Sequence, residues 1–286
     1  MTGVAIALVL LSALLHAVWN VFSKGSSDRW AFFFGQGVAM LVAYMPLVVW
    51  QWPHAGIDGI GWLCVAGSAV THAGYAFYLL KAYDAGDLSV AYPLSRTAPV
   101  LVALWDMATL RGQLSAAGVC GAMLAGVGAL TLQLPALRAR GPRAVLRQRV
   151  TRYALMTAVF IAVYTLFDKQ GVQHVPPLVF LYLISFGEFV LIGLRLGREA
   201  APRVAKELRA NVSQVLFTGI VGPFSYLLIL WVLTAAPASY VLGLRQTSIV
   251  FGVILGHFVL GERETRYRLI GALIVAAGSA MIAAAG

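Results

Sequence analysis

The sequence predicts an all-α integral membrane protein in which ten transmembrane helices form two inverted five-helix repeats. Three observations lead there: a composition too apolar for a water-facing surface, ten apolar runs of membrane-spanning length, and an internal repeat of an odd number of helices. Hydrophobic residues make up 60% of the 286, charged residues 11%, and the mean hydropathy is +0.83. A soluble domain carries roughly 25% charged residues, so these charges are too few to solvate a globule.

The apolar runs fall at 3–22, 30–50, 60–80, 88–110, 116–133, 153–168, 177–197, 213–234, 239–260 and 268–285. Each is long enough, or nearly so, to cross about 30 Å of hydrocarbon at 1.5 Å per residue. The sixth is short and is expected to be broken or to extend past its charged end. Transmembrane β-strands would alternate over ten-residue segments, and these runs are continuous. The first run has no basic leader, and His16 and Asn20 interrupt its end, so it reads as a helix rather than a signal peptide.

Charge sets the expected orientation. The loops after the odd-numbered runs hold seventeen Lys and Arg residues; the opposite loops and the termini hold Arg111 and Lys169. The positive-inside rule makes the rich side cytoplasmic and puts both termini in the periplasm. The net charge of +10 therefore belongs to loops facing an anionic leaflet of the lipid bilayer. No interleaving of aromatic and basic residues appears, so no nucleic acid is expected as partner. The sequon at Asn211 falls on the cytoplasmic side and carries no meaning there. Cys64 and Cys120 lie inside apolar runs, with neither a disulfide framework nor metal-ligand spacing.

The repeat is visible in the residues. Leu94-Ser95-Arg96-Thr97 precedes a run ending Leu110-Arg111-Gly112, and Leu244-Arg245-Gln246-Thr247 precedes one ending Leu260-Gly261-Glu262. Arg96 to Arg245 is 149 positions, Gly112 to Gly261 is 149, and Gly121-Ala122 to Gly271-Ala272 is 150. Five helices per copy turn the second copy upside down. The expected units are 1–133 and 153–286, joined by a basic connector at 134–152.

Leu15-His16-Ala17-Val18-Trp19-Asn20 resembles the HAxWN opening of one group of EamA-type drug/metabolite transporters. Gly86-Asp87-Leu88-Ser89, Tyr92-Pro93-Leu94-Ser95-Arg96 and the closing Leu260-Gly261-Glu262 are similar to that group as well. The resemblance covers nearly the whole chain. It implies a ten-helix carrier with a central cavity, often an exporter of amino acids, metabolites or drugs. It also implies cytoplasmic termini, where the charge count gives periplasmic ones.

Ionisable groups at membrane depth are costly unless paired or wetted, which makes each a candidate. His16 and Asn20 share a helical face, with Trp19 adjacent. Arg96 and Arg245 lie about 12 Å into the fourth and ninth helices. Each either forks onto a substrate carboxylate or phosphate or is neutralised internally. Tyr92 and Ser248 are placed to share those faces. The expected substrate-binding set is therefore His16, Trp19, Asn20, Tyr92, Arg96, Arg245 and Ser248, on helices 1, 4 and 9, with helix 6 completing the cavity. Pro93 and Pro99 loosen the fourth helix. Glu188 and Asp106 are the deepest carboxylates, candidates for proton coupling or for neutralising an arginine. His72 and His257 read as packed or hydrogen-bonded, and Asp168-Lys169 as a helix-end anchor. Tyr75, Tyr78, Tyr164 and Tyr240 suit either a cavity or an interfacial belt. Gly118, Ala122 and Gly126, and Ala272, Ala276 and Ala280, form ridges for close packing, within a monomer or between the copies of a homodimer.

No phosphate-binding loop, nucleophile elbow or HExxH stretch is present, so no cofactor or metal is expected. The expected function is a secondary active transporter for a small metabolite that is amino-acid-like or anionic, with export the direction that the resemblance implies. The alternatives are a membrane-embedded lipid-modifying enzyme and a flippase for lipid-linked substrates.

Overall fold

A computed structural model describes residues 1–23, 28–85, 94–109, 114–131, 134, 138, 141–260 and 266–285. Apart from a few single-turn pieces the described chain is α-helical: α1 (Gly3–Ser23), α2 (Arg29–Gln51), α3 (Gly59–Ala85), α4 (Ala98–Thr109), α5 (Ala116–Thr131), α6 (Pro142–Arg147), α7 (Arg149–Gly171), α8 (Pro177–Leu196), α9 (Ala200–Leu233), α10 (Ala238–Arg245), α11 (Thr247–Leu260) and α12 (Arg266–Ala285). The short sixth run belongs to a helix that extends beyond it at both ends, α7. Asn211 leaves helical geometry (φ −137°, ψ 34°), which kinks α9 at the start of its apolar part.

Five stretches are long and apolar enough to cross a membrane: Arg29–His54, Gly59–Ala85, Arg149–Gly171, Pro177–Leu233 and Ala238–Leu255. Gly3–Trp19, Ala98–Thr109, Ala116–Gly128 and Leu269–Ala285 are shorter apolar helices. Large apolar side chains point outward along them, among them Trp50, Leu63, Leu194, Phe258 and Leu273. Water would not tolerate so broad an apolar exterior. With the composition, this makes the chain a multi-pass membrane protein.

Helix contacts come in reciprocal sets. α3 packs on α7 and α1 on α9; α2 packs on α9 and α8 on α3. α1 meets α10 and α11 as α7 meets α4, while α2–α8, α4–α10 and α5–α12 join the two halves directly. The largest apolar cluster includes the fully buried Phe180 of α8, Ile229 and Leu233 of α9, and Leu244 of α10. Polar bonds fix the helix pairs within it. Ser12 and Ser225 each donate a hydroxyl to the other's carbonyl, at 2.7 and 2.9 Å. Gln36 donates its amide to Thr218 at 2.7 Å.

At one end of the bundle Asp28 caps α2 by accepting the Ala31 N–H at 3.1 Å. Arg203 forks onto the same carboxylate at 2.7 and 2.8 Å. This charge-assisted fork holds the Asp28 carboxyl below the usual carboxylate range. Buried Glu207 accepts the Asp28 N–H and the Asn211 amide, which ties the α9 kink to the start of α2. At the other end Asp58 accepts the Gly61 N–H at 2.7 Å and a bond from His174 at 2.8 Å. Lys169 anchors a helix end as expected, donating to the Leu233 carbonyl at 2.7 Å.

The small-residue ridges divide between two faces. Gly118, Ala122 and Gly126 face Tyr240, Gly243 and Val100. A different stripe, Gly121, Ala125 and Gly128, meets α12 at Gly271, Val275 and Gly278. On α12 the expected ridge is only partly used: Ala272 is buried, whereas Ala276 and Ala280 face outward. A Cβ on Gly278 would lie 2.6 Å from the Gly121 carbonyl oxygen, and one on Gly121 would lie 2.6 Å from that of Gly278. Both obstacles are backbone, so they cannot rotate away. Gly278→Val should therefore cost about 1–3 kcal/mol or more, read as a lower melting temperature in detergent. Gly252→Ala, where a Cβ meets nothing within 4 Å, should leave melting unchanged or raise it slightly.

Candidate functional site

A cavity of about 210 Å³ lies between α1, α2, α3, α7, α8, α9 and α10, with residues 95–99 forming part of its wall. His16, Trp19, Arg96, Arg245 and Glu188 line it. Tyr92 and the side chain of Asn20 lie outside the described residues, as do the side chain of His257, Pro93, Lys24, Gly86-Asp87-Leu88-Ser89, Arg111 to Gln113, and Gly261-Glu262. Ser248 is not part of the wall. Its hydroxyl is buried, 2% exposed, with no hydrogen bond to a described residue.

Both arginines sit where a helix breaks. The chain turns at Arg96 and Thr97 before α4 begins, and α10 ends at Arg245 with a turn at Gln246 before α11. The two breaks are made alike. Thr97 donates its hydroxyl to the Leu94 carbonyl at 2.9 Å, and Thr247 donates to that of Leu244 at 2.8 Å. Thr97 and Thr247 are 150 positions apart, so by local structure the counterpart of Arg96 is Gln246. The expected equivalence of Arg96 with Arg245 is off by one residue here.

That offset explains a further bond. At the second break the Ile249 N–H donates to the Gln246 carbonyl at 2.8 Å. The matching position in the first break is Pro99, which has no N–H. Val100 N–H turns to the Thr97 carbonyl at 3.1 Å, leaving the Arg96 carbonyl without a helical donor. The Gln246 side-chain amide fills that role at 2.5 Å.

Arg96 donates Nη2–H to His16 Nε2 at 2.5 Å. That nitrogen must then carry the lone pair, which assigns the ring proton to Nδ1. His16 stacks on Trp19, centroids 5.5 Å apart and planes 14° off parallel. The indole lies against Gly222, where a Cβ would come within 3.0 Å of its Cδ1 and Nε1. Arg245 lies over the Tyr226 ring, Cζ 5.1 Å from the centroid. Its Nε is buried without a hydrogen bond, and among the described residues no carboxylate lies within ion-pair distance of it.

The carboxylates divide differently from expectation. Glu188 reaches the cavity and makes no ion pair among the described residues, so it does not neutralise an arginine by direct contact. Asp106, 5% exposed, accepts the Ser239 N–H at 2.8 Å in the first turn of α10. It supplies the cap that Pro237 cannot, a structural role in place of the coupling or neutralising role expected of it.

Asp168 is the residue the sequence reading placed wrongly. It is fully buried on α7 and accepts hydrogen bonds from Ser68, from His72 Nε2 at 3.2 Å and from the Tyr226 hydroxyl. His72 stacks on Tyr164 at 3.9 Å and lines the cavity. Tyr75 meets Tyr164 edge-on at 5.7 Å and lines it too, whereas Tyr240 bonds Ser115 away from it. The signal was available in Ser68 and His72, four apart on one face of α3. The position of Asp168 near the end of an apolar run concealed it.

The EamA-like transporter family matches the chain twice, over residues 3–133 and 151–284. No curated protein matches. Twenty-nine chains of solved structures do. One, described as "Crystal structure of protein", superposes with a TM-score of 0.68 at 15% identity, covering 99% of this chain and 98% of that one. At that identity the likeness concerns the fold alone. Two family matches spanning most of the sequence settle the relationship: the chain belongs to the EamA-like transporter family, membrane transporters of the drug/metabolite superfamily.

Proposed function

We propose that this chain is a secondary active transporter of the inner membrane that moves a small anionic or amino-acid-like metabolite through the central cavity by alternating access. The observation that carries the reading is the Arg245 guanidinium, held at a helix break in the cavity with no carboxylate among the described residues to neutralise it. A permanent cation at membrane depth calls for an anion, and a guanidinium offers a carboxylate or phosphate a two-point contact. Arg96, lining the same cavity and bonded to His16, supplies a second cation. The aromatic wall of Trp19, Tyr75, Tyr164 and Tyr226 suits an apolar portion of the same solute. Export is the direction that the family resemblance suggests.

The architecture that serves this function is ten spans in two inverted units, 1–133 and 153–286, with 134–152 as connector. Supporting it are the double family match, the reciprocal helix contacts and the like-built breaks around Thr97 and Thr247. Discontinuous helices flanking a midplane site are how inverted-repeat carriers free backbone groups for a solute. The chain works as a monomer or a homodimer. The charge asymmetry of the loops supports periplasmic termini.

Solute counterflow into proteoliposomes, screened over amino acids, organic acids and phosphorylated metabolites, tests the reading. Product formation without flux would favour an enzyme instead. Arg245→Lys keeps the charge and loses the fork; it should weaken solute affinity about tenfold while leaving melting nearly unchanged. Unchanged affinity with reduced melting would assign the arginine to holding the bundle together. Reporter fusions at either terminus should be active only with a periplasmic reporter; activity of a cytoplasmic reporter there would reverse the topology.

A further inference from the structure

Asp168 has no part in the anion site, yet among the described residues it is the most completely buried carboxylate, and three side chains bond to it. Three helices meet on it: α3 through Ser68 and His72, α7 itself, and α9 through Tyr226. A carboxylate so deep carries a heavy desolvation cost that neutral donors offset only in part. Among the described residues no Lys or Arg pairs with it; Tyr226 carries Arg245 over its ring and donates its hydroxyl to Asp168.

His72 is placed to supply the missing charge. Its Nε2 faces Asp168, and its Nδ1 makes no hydrogen bond to a described residue. The ring lines the cavity, so water there can deliver a proton. Imidazole is the side chain whose ordinary titration falls at physiological pH. The groups around it are Asp168 and Tyr164 on α7, Tyr226 on α9, Glu188 on α8 and Arg245 on α10; Tyr75 on its own helix, His16 and Arg96 line the same cavity.

We propose that the His72–Asp168 pair is a proton-binding site, one proton per chain, linked through Tyr226 to the anion held at Arg245. The proton bound at His72 Nδ1 turns a lone carboxylate into an imidazolium–carboxylate pair, and it leaves by the same nitrogen. The sign of the linkage follows from charge. An anion at Arg245 cancels a nearby positive charge and so favours the proton on His72; reciprocally, the proton favours the anion. Proton and anion then move together, so export of the anion down its own gradient carries the proton outward with it. The coupling rests on the carrier reading above, whereas the proton site can be tested without any solute.

The test is ¹⁵N-histidine NMR of the full-length protein in lipid nanodiscs, with His72 assigned by the loss of its signal in His72→Gln. On going from pH 8 to pH 5 the wild-type His72 ring should pass from neutral to charged. Asp168→Asn should leave it neutral at pH 5, and Asp168→Glu should restore the charging. Arg245→Gln should raise the ratio of charged to neutral His72 at pH 7 about threefold, because it removes a neighbouring positive charge. A wild-type His72 that stays neutral at pH 5 would overturn the site, and that measurement needs no variant to fold. Equal charging in correctly folded Asp168→Asn would overturn it too, and an unchanged ratio in Arg245→Gln would overturn the linkage. Absence of counterflow for every solute, with the His72 titration intact, would instead sink the carrier and leave the proton site standing.

Discussion

A backbone that breaks inside a bilayer must find its hydrogen bonds within the protein, because lipid offers none. The bond from the Gln246 amide to the Arg96 carbonyl answers that constraint, and much of the cavity follows from it. Pro99 removes an N–H and opens the turn; the opened turn leaves a carbonyl bare; the second half of the chain supplies the donor. The two interruptions are thereby fastened to each other across the middle of the molecule. Arg96 and Arg245, one in each interruption, are carried to the cavity wall by the same geometry.

The polar groups around this junction fall into two sets with separate chemistry. His16, Trp19 and Gly222 orient Arg96, so that one guanidinium arrives with its direction already fixed by an aromatic stack. Arg245 is held by a ring face, which constrains its position more than its donors. Tyr226 belongs to both sets, since its ring lies under Arg245 and its hydroxyl ends on Asp168. One side chain thus touches the cation that meets the cavity and the carboxylate that does not.

Most of the helical framework was legible in the sequence because lipid leaves few options. Runs of about twenty apolar residues become helices, and intramembrane arginines turn inward. What escaped was anything decided by three-dimensional neighbours. Asp106 looks like a candidate for coupling until the unmet N–H of Ser239, at a helix start that follows proline, is seen beside it. Asp168 looks like an anchor because a run of apolar letters ends there, yet α7 continues past it to Gly171. Ser248 sits near Arg245 in the sequence, but the helix break between them turns it away from the cavity. The register of the repeat slipped by one for a similar reason: two arginines draw the eye into alignment, while the hydrogen bonds of Thr97 and Thr247 align their neighbours instead.

The seam between α5 and α12 has a mechanical consequence. Gly121 and Gly278 bring the two main chains to within a methyl group's width of each other, and Val275 closes over Gly128, two turns along α5 from Gly121. Helices that close cannot slide lengthwise, since every ridge would meet a carbonyl within one residue of travel. They can roll only slightly about their line of contact. Relative movement of the two halves must then be smallest along this seam and grow with distance from it.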